Sequence, residues 1–310
     1  MRTFFCFARN KNKERLKYTN LTTAILVIGI LAACTLFSGC EDVISVQLDE
    51  GDPLLVVDAF LDNTRRVQTI RLSKSSPYLS TEGAAGLTGA RVAVVDLEDG
   101  RERLFRETSA GVYQWNPRVT EVFAEVGKEY ELRIHLGKDT YSARSSVYPV
   151  PVIDSIVYDY EEKDPFQDEG YQAYFIAFDL EGQTDYYFIR SYRNGILRSR
   201  NIDFQVCVDA AYGEGADGLQ FIEPVADFTP GDDPYRLGDS ASVEIASIDK
   251  RTYGFLSQVM DLSTNTGLFA TPPANVRSNI ESLLPAPDLA PVGWFSVSAV
   301  SSAGIKIRKP

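Results

Sequence analysis

The chain has 310 residues, with 31 basic and 43 acidic side chains, a single histidine and four cysteines. Such an acid excess repels a phosphate backbone, and no basic patch offsets it, so nucleic-acid binding is excluded as a function class. One imidazole leaves little room for Ser-His-Asp catalysis, or for a zinc site built on several histidines.

The first segment is basic, with Arg2, Arg9, Lys11, Lys13, Arg15 and Lys17 against Glu14 alone. An apolar run of 17 residues follows, Leu21 to Phe37, which is marginal for a spanning helix at about 1.5 Å per residue. It ends in Leu36-Phe37-Ser38-Gly39-Cys40, small residues before a cysteine, which resembles the lipobox of bacterial lipoproteins. In those proteins the cysteine thiol is diacylated and the cysteine becomes the new amino terminus. Leu31-Ala32-Ala33-Cys34 fits the pattern more literally, but a cut there leaves Leu36 and Phe37 just outside the membrane, whereas a cut before Cys40 releases Glu41-Asp42. An uncleaved signal anchor is the third reading. We take residues 1–39 as signal peptide, Cys40 as the lipidated (palmitate-bearing) residue and 40–52 as a tether. Without the signal the chain keeps 25 basic and 42 acidic residues, a net charge of about −17, and Cys207 is the one thiol beyond the anchor. No disulfide within the body is available, and a chain of this size does not need one.

Beyond the tether the pattern is that of strands. Leu54 to Leu61 is apolar and β-branched, and 67–72 alternates with period two. After a Ser- and Gly-rich stretch over 73–89 come strands at 90–97, 103–107, 111–115, 129–136 and 140–147, with the Asp99-Gly100 turn closing the first hairpin of this series. In 129–136 Tyr130, Leu132, Ile134 and Leu136 alternate with Glu131, Arg133 and His135, one face for a core and one for water. Residues 53–148 are therefore expected to form an immunoglobulin-like β-sandwich. Pro149 and Pro151 mark a boundary, since each proline fixes its own φ and disfavours helix in the residue before it.

Residues 149–310 are expected to form a second antiparallel β domain carrying one or two short helices. Strands are predicted at 153–160, 173–180, 186–192, 196–208, 243–248 and 293–300, and Asn194-Gly195 is a hairpin turn. The Gly-, Asp- and Pro-rich stretch 209–239 reads as a long surface loop. One helix is predicted over 249–262, capped by Asp249, with Tyr253, Leu256, Val259 and Met260 on one face and Gly254 weakening it. The fold class is thus mostly β.

Few residues point to chemistry. His135 falls on the solvent side of its strand, and Cys207, between Val206 and Val208, reads as a small buried hydrophobe. Ser247-Ile248-Asp249-Lys250 matches the S-x-x-K pattern of penicillin-binding enzymes, but the companion motifs are missing. Acids at 164–169 and at Asp232, Asp233 and Asp239 offer oxygen ligands for calcium without EF-hand spacing. The Tyr- and Phe-rich stretch 171–192 reads mostly as core, and as the best place for a ligand platform. No residue is assigned a catalytic, cofactor-binding or metal-ligating role.

Several stretches carry a family resemblance: Cys40-Glu41-Asp42-Val43-Ile44, then Leu54, Val56 and Val57, then Leu72-Ser73 and Pro77-Tyr78, then Pro149, Pro151 and Ile153-Asp154-Ser155-Ile156, and finally 269–280 with Pro272-Pro273-Ala274-Asn275-Val276-Arg277-Ser278-Asn279-Ile280. Together they resemble a family of Bacteroidota outer-membrane lipoproteins of unknown function. The family's usual Glu-Asn-Gly-Xaa-Gly stretch is replaced here by Glu281-Ser282-Leu283-Leu284-Pro285. The resemblance implies anchorage in the outer-membrane bilayer through Cys40, on the cell surface rather than the periplasmic face. It also implies an accessory, non-enzymatic role beside a TonB-dependent receptor, in ligand capture or docking. The alternatives are an acid- or calcium-dependent surface hydrolase and a structural or adhesion protein of the envelope.

Overall fold

In a computed structural model the described residues are 51–76, 83–200, 203–211, 215–264 and 276–309. The signal segment, Cys40, tether residues 41–50, Pro77-Tyr78 and the 269–275 part of the proline-rich motif lie outside them. No helix among the described residues is long and apolar enough to cross a membrane.

The first half builds β1 (Leu54–Asp62), β2 (Gln68–Lys74), β3 (Ala85–Gly86), β4 (Arg91–Asp96), β5 (Glu102–Ser109), β6 (Val112–Trp115), β7 (Glu129–Leu136) and β8 (Asp139–Ser146). Hydrogen-bonded neighbours run β8-β7-β4-β5-β6-β2-β1. This continuous ribbon turns over at β5, whose start pairs with β4 (Phe105 opposite Val92) and whose end pairs with β6 (Glu107 opposite Tyr113). The two layers enclose one core, in which Leu55, Val57 and Leu61 of β1 share space with Val92, Val94, Leu132 and Ile134. Period-two alternation alone puts these side chains on the inner faces, and each fully buried one stabilises the fold by about 1.5–3 kcal/mol. Phe123 sits at the centre, 5.2 Å from the Trp115 ring and 5.9 Å from Phe105.

Strands β1, β2 and β6 facing β5, β4, β7 and β8 make the immunoglobulin-like arrangement expected from the sequence. Tyr130, at the start of β7, supports it further: its hydroxyl accepts the Glu125 N–H at 3.0 Å, a tyrosine corner. On the outer side of β7, His135 and Arg133 are exposed as predicted, while Glu131 is nearly covered and pairs with Arg133 and Arg144.

The second half builds β9 (Ile153–Glu161), β10 (Gly170–Ala177), β11 (Tyr186–Arg193), β12 (Ile196–Leu197), β13 (Phe204–Val208), β14 (Ser240–Ile248), α1 (Lys250–Thr264), β15 (Glu281–Ser282), β16 (Ala290–Ser298) and β17 (Val300–Lys306). The β9–β10 hairpin faces a sheet in which β11 lies between β12 and β13 on one side and β14 on the other, with β17 beyond β14. Their shared core holds Tyr171, Phe175, Tyr187, Cys207, Val243 and Ile245.

Three expectations change. The predicted strand 196–208 is broken between β12 and β13, where Arg200 and Asp203 close a turn through the Asp203 N–H to Arg200 carbonyl bond at 2.9 Å. The stretch 209–239 is not a surface loop throughout. Phe221, Val225, Phe228 and Tyr235 enter the core, and Phe228 N–H donates to the Ala173 carbonyl at 3.2 Å, Tyr235 N–H to that of Tyr171 at 3.0 Å. The segment thus takes a strand's place beside β10, and irregular apolar spacing hid it. Finally, the predicted last strand is two: β16 pairs in parallel with β1, β17 pairs with β14, and buried Ala299 carries the chain from one sheet to the other.

The return from β14 to β17 therefore runs through the first sandwich. Asp249 caps α1 by accepting the Thr252 N–H at 2.6 Å. The packed side of the helix is centred on Thr252 and Phe255: Phe255 stacks on Trp294 at 4.5 Å, and the Trp294 indole donates to the Thr252 hydroxyl at 3.0 Å. Val259, placed on that side by periodicity, is exposed. β15 pairs with β8, and Ile280 joins the first core. Asn279, in the motif that carries the family resemblance, clamps β16: its amide donates to the Phe295 carbonyl at 2.7 Å and accepts the Phe295 N–H at 2.9 Å. Between the sandwiches Arg66 donates to Glu244 at 2.7 Å, and Glu244 also accepts from Arg190 and from the Tyr192 hydroxyl. Val150, in the proline-rich boundary, packs against both cores.

Candidate functional site

A groove of about 650 Å³ lies on the outer face of the β9–β10 hairpin, and that volume suits a bound ligand. Its geometry follows from strand alternation. On β10, Tyr171, Ala173, Phe175 and Ala177 point to the core, so Gln172, Tyr174, Ile176 and then Phe178 face outward. Across the hairpin Val157 pairs with Tyr174, Asp159 with Gln172 and Glu161 with Gly170. On the other edge of β10 the packed segment adds Ile222, Glu223 and Ala226 to the lining, and the next residue, Asp227, bridges to Tyr174. The peptide bond between Glu223 and Pro224 is cis.

The outcome is a mixed apolar and aromatic floor between two walls of carboxylates. Val157, Phe178 and Ile222 are each about half exposed. Asp159 and Glu161 stand on one wall and Glu223 on the other, with Asp227 close by, across from Tyr174. Glu161 accepts from Gln167 and lies 3.4 Å from the Tyr174 hydroxyl, and Asp227 accepts the Thr229 N–H at 2.8 Å. None of the four pairs with a cation among the described residues. Burial lifts the Asp227 carboxyl from 3.8 to about 6, against its Thr229 hydrogen bonds and with help from Glu223 and Glu161. Burial, with the charges of Asp227, Glu161 and Glu223, also pushes the Tyr174 hydroxyl upward.

The acids that the sequence offered for calcium are mostly held by other groups. Asp232 pairs with Arg200 at 2.6 Å, Asp233 with Arg193 at 2.7 Å and Arg198 at 2.9 Å, and Asp239 with Arg193 at 2.6 Å, so this trio is engaged with guanidinium groups rather than grouped for calcium. At 164–169, Asp168 pairs with Lys163, and Asp164 accepts the N–H groups of Phe166 and Gln167. A buried trio of Asp179, Asp185 and Asp209 is tied to protein donors: Tyr187 hydroxyl to Asp179 at 2.5 Å, Gln183 to Asp185 at 2.9 Å and Asp185 N–H to Asp209 at 2.8 Å. No group of three His, Cys, Asp or Glu among the described residues is placed to hold a metal ion.

The sequence candidates for catalysis are dispersed. His135 lies on the first sandwich, its Nδ1 3.0 Å from the Thr140 hydroxyl. Cys207 is fully buried, and burial beside Asp179 and Asp209 pushes its thiol up, away from the reactive thiolate. Ser247 is buried at the end of β14 rather than on a helix, and Lys250 is exposed. Of the aromatic stretch 171–192, Tyr171, Phe175 and Tyr187 are core, and Tyr174 with Phe178 faces the groove side. Sequence reasoning missed Asp159, Glu161, Glu223 and Asp227. The only available signal was acids in alternation on β9; the opposite wall comes from the segment read as a loop.

The family described as a domain of unknown function (DUF4249) matches residues 41–303. The chain belongs to that family. No curated protein matches it. Among solved structures it is similar to the crystal structure of the FN1-FN3 domains of chicken CNTN1, at 14% identity and a TM-score of 0.23, over 64% of this chain and 61% of that one. This chain thus spans about three fifths of the length of that structure.

Proposed function

We propose that this member of the DUF4249 family is a lipid-anchored accessory protein of the Bacteroidota outer membrane, displayed at the cell surface, which docks with a TonB-dependent receptor and captures a ligand for it. The observation that carries the reading is the order of features along one chain: a basic start, an apolar run, Ser38-Gly39-Cys40, and a family match that begins at residue 41. Thirteen residues separate Cys40 from Leu54, the start of β1, which allows the body up to about 45 Å of reach from the bilayer. Two sandwiches joined by the β14-to-β17 excursion give a fixed surface to present, and the groove is the ligand site. Mass spectrometry of the native protein should find acylated Cys40 at its amino terminus, and detergent pull-down should recover a receptor. An unacylated residue 40, or pull-downs that recover no receptor, would sink the proposal.

One observation favours a hydrolase: Asp227, with its raised carboxyl beside Glu161 and Glu223, has the makings of a general acid. Turnover of aryl glycosides that disappears in Asp227→Asn would support that reading, and no turnover across pH 4–8 would end it.

A further inference from the structure

We propose that the outer edge of β9 pairs with the same edge of a second copy of this chain, antiparallel about a two-fold axis at Val157, so that two β9–β10 hairpins join into one sheet. This goes beyond ligand capture and holds whether or not the groove takes a ligand.

The backbone provides the site. β9 is nine residues long and pairs with β10 alone. On β10 the odd residues turn away from β9, since Tyr171 and Phe175 donate to the Tyr235 and Ala226 carbonyls at 2.9 and 3.0 Å. Gln172, Tyr174 and Ile176 therefore bond to their opposites Asp159, Val157 and Ser155, and by alternation Ile156, Tyr158 and Tyr160 direct N–H and C=O to the other edge. There these groups have no backbone partner among the described residues. Such an edge is a template for another strand. Val157 and Tyr160 on it are 44% and 54% exposed, and 153–161 contains neither proline nor lysine to block pairing.

Self-complementarity selects a second copy and one register. The strand carries three acids, Asp154, Asp159 and Glu161, which repel a like edge wherever acid meets acid. Pairing centred on Asp159 sets that residue against its own copy, and pairing centred on Tyr158 sets Asp154 against Glu162. Centred on Val157, the middle of β9, the whole strand pairs and no acid meets an acid: Asp159 faces the copy's Ser155, Asp154 its Tyr160 and Glu161 its Ile153. The hydrogen-bonding parity agrees. Ile156 stands opposite the copy's Tyr158, both with N–H and C=O turned outward, and the two symmetric pairs give about four hydrogen bonds, with Val157 against Val157 in the closer, non-bonded position. The end of the chain adds cations. The Arg308 N–H donates to the Tyr158 hydroxyl at 3.2 Å, and the register brings exposed Arg308 and Lys309 to the side of the copy's Asp154.

The test is sedimentation of the mature chain in density-matched detergent, where a dimer should form reversibly at micromolar concentration. Val157→Lys sets two ammonium groups against each other on the axis and should weaken the dimer about tenfold or more. Val119→Lys, at an 89% exposed position of the first sandwich, should change it less than about twofold. Under mild oxidation Val157→Cys should cross-link two chains, because opposite Cα atoms of a non-bonded pair lie about 4.5 Å apart. Phe166→Cys, 93% exposed in the loop of the same hairpin, should not. A monomer at every concentration, equal weakening by Val119→Lys, or equal cross-linking through Phe166→Cys would overturn the proposal. So would a chain that stays monomeric yet binds a fluorescein-labelled peptide of alternating threonine and valine, which would give the edge to a foreign strand. Receptor pull-down is read separately: a receptor recovered by a monomer ends this inference alone, and a dimer without any receptor ends only the accessory role.

Discussion

Asp227→Asn should make the body more stable at neutral pH. The carboxyl ionises near 3.8 when unfolded and at about 6 in the fold, because burial disfavours its charged form. A raised acid binds its proton more tightly in the folded state, so its contribution is intact below about pH 4 and is lost as pH rises through about 6. The difference corresponds to about 3 kcal/mol, and partial contact of this side chain with water brings the expected effect nearer 2 kcal/mol. Asparagine keeps an oxygen to accept the Thr229 N–H and removes the titration. Urea unfolding followed by far-ultraviolet circular dichroism from pH 4 to 8 is the assay. The variant's midpoint should match wild type at pH 4 and exceed it at pH 7.5. If the variant is less stable than wild type at pH 7.5, or if its advantage does not change with pH, burial of the carboxylate is not what sets its pKa.

Three further outcomes follow from packing. Gly293 has φ +111°, and a Cβ there would lie 2.0 Å from the Val57 carbonyl oxygen, so Gly293→Ala should cost about 3 kcal/mol or more by thermal or urea unfolding. Asn279→Ala orphans both backbone groups of Phe295 and should cost about 2–4 kcal/mol, while Asn279→Asp, which keeps only the acceptor, should fall between it and wild type. Cys207 should resist iodoacetamide in the native body at pH 8 and react at the rate of a free thiol in 6 M urea; rapid native labelling would contradict its burial.

The sequence by itself determined the strands, because each buries one face and period-two alternation is a local property. Leu54 to Leu61 and 129–136 were legible for this reason, and the helix from its Asp249 cap, though not the side on which it packs. Pairing partners were not. Nothing local in Ala290–Ser298 says that it runs parallel to β1 in the other sandwich, or that Ala299 separates two sheets within one apolar run. The groove was only half legible for the same reason. Asp159 and Glu161 alternate on β9, but Glu223 reaches the site only because Phe221, Val225 and Phe228 anchor an irregular segment beside β10. Hydrophobic periodicity records which side of a strand is dry; which other segment keeps it dry is decided by long-range packing, and that decision is what brings the two acidic walls face to face.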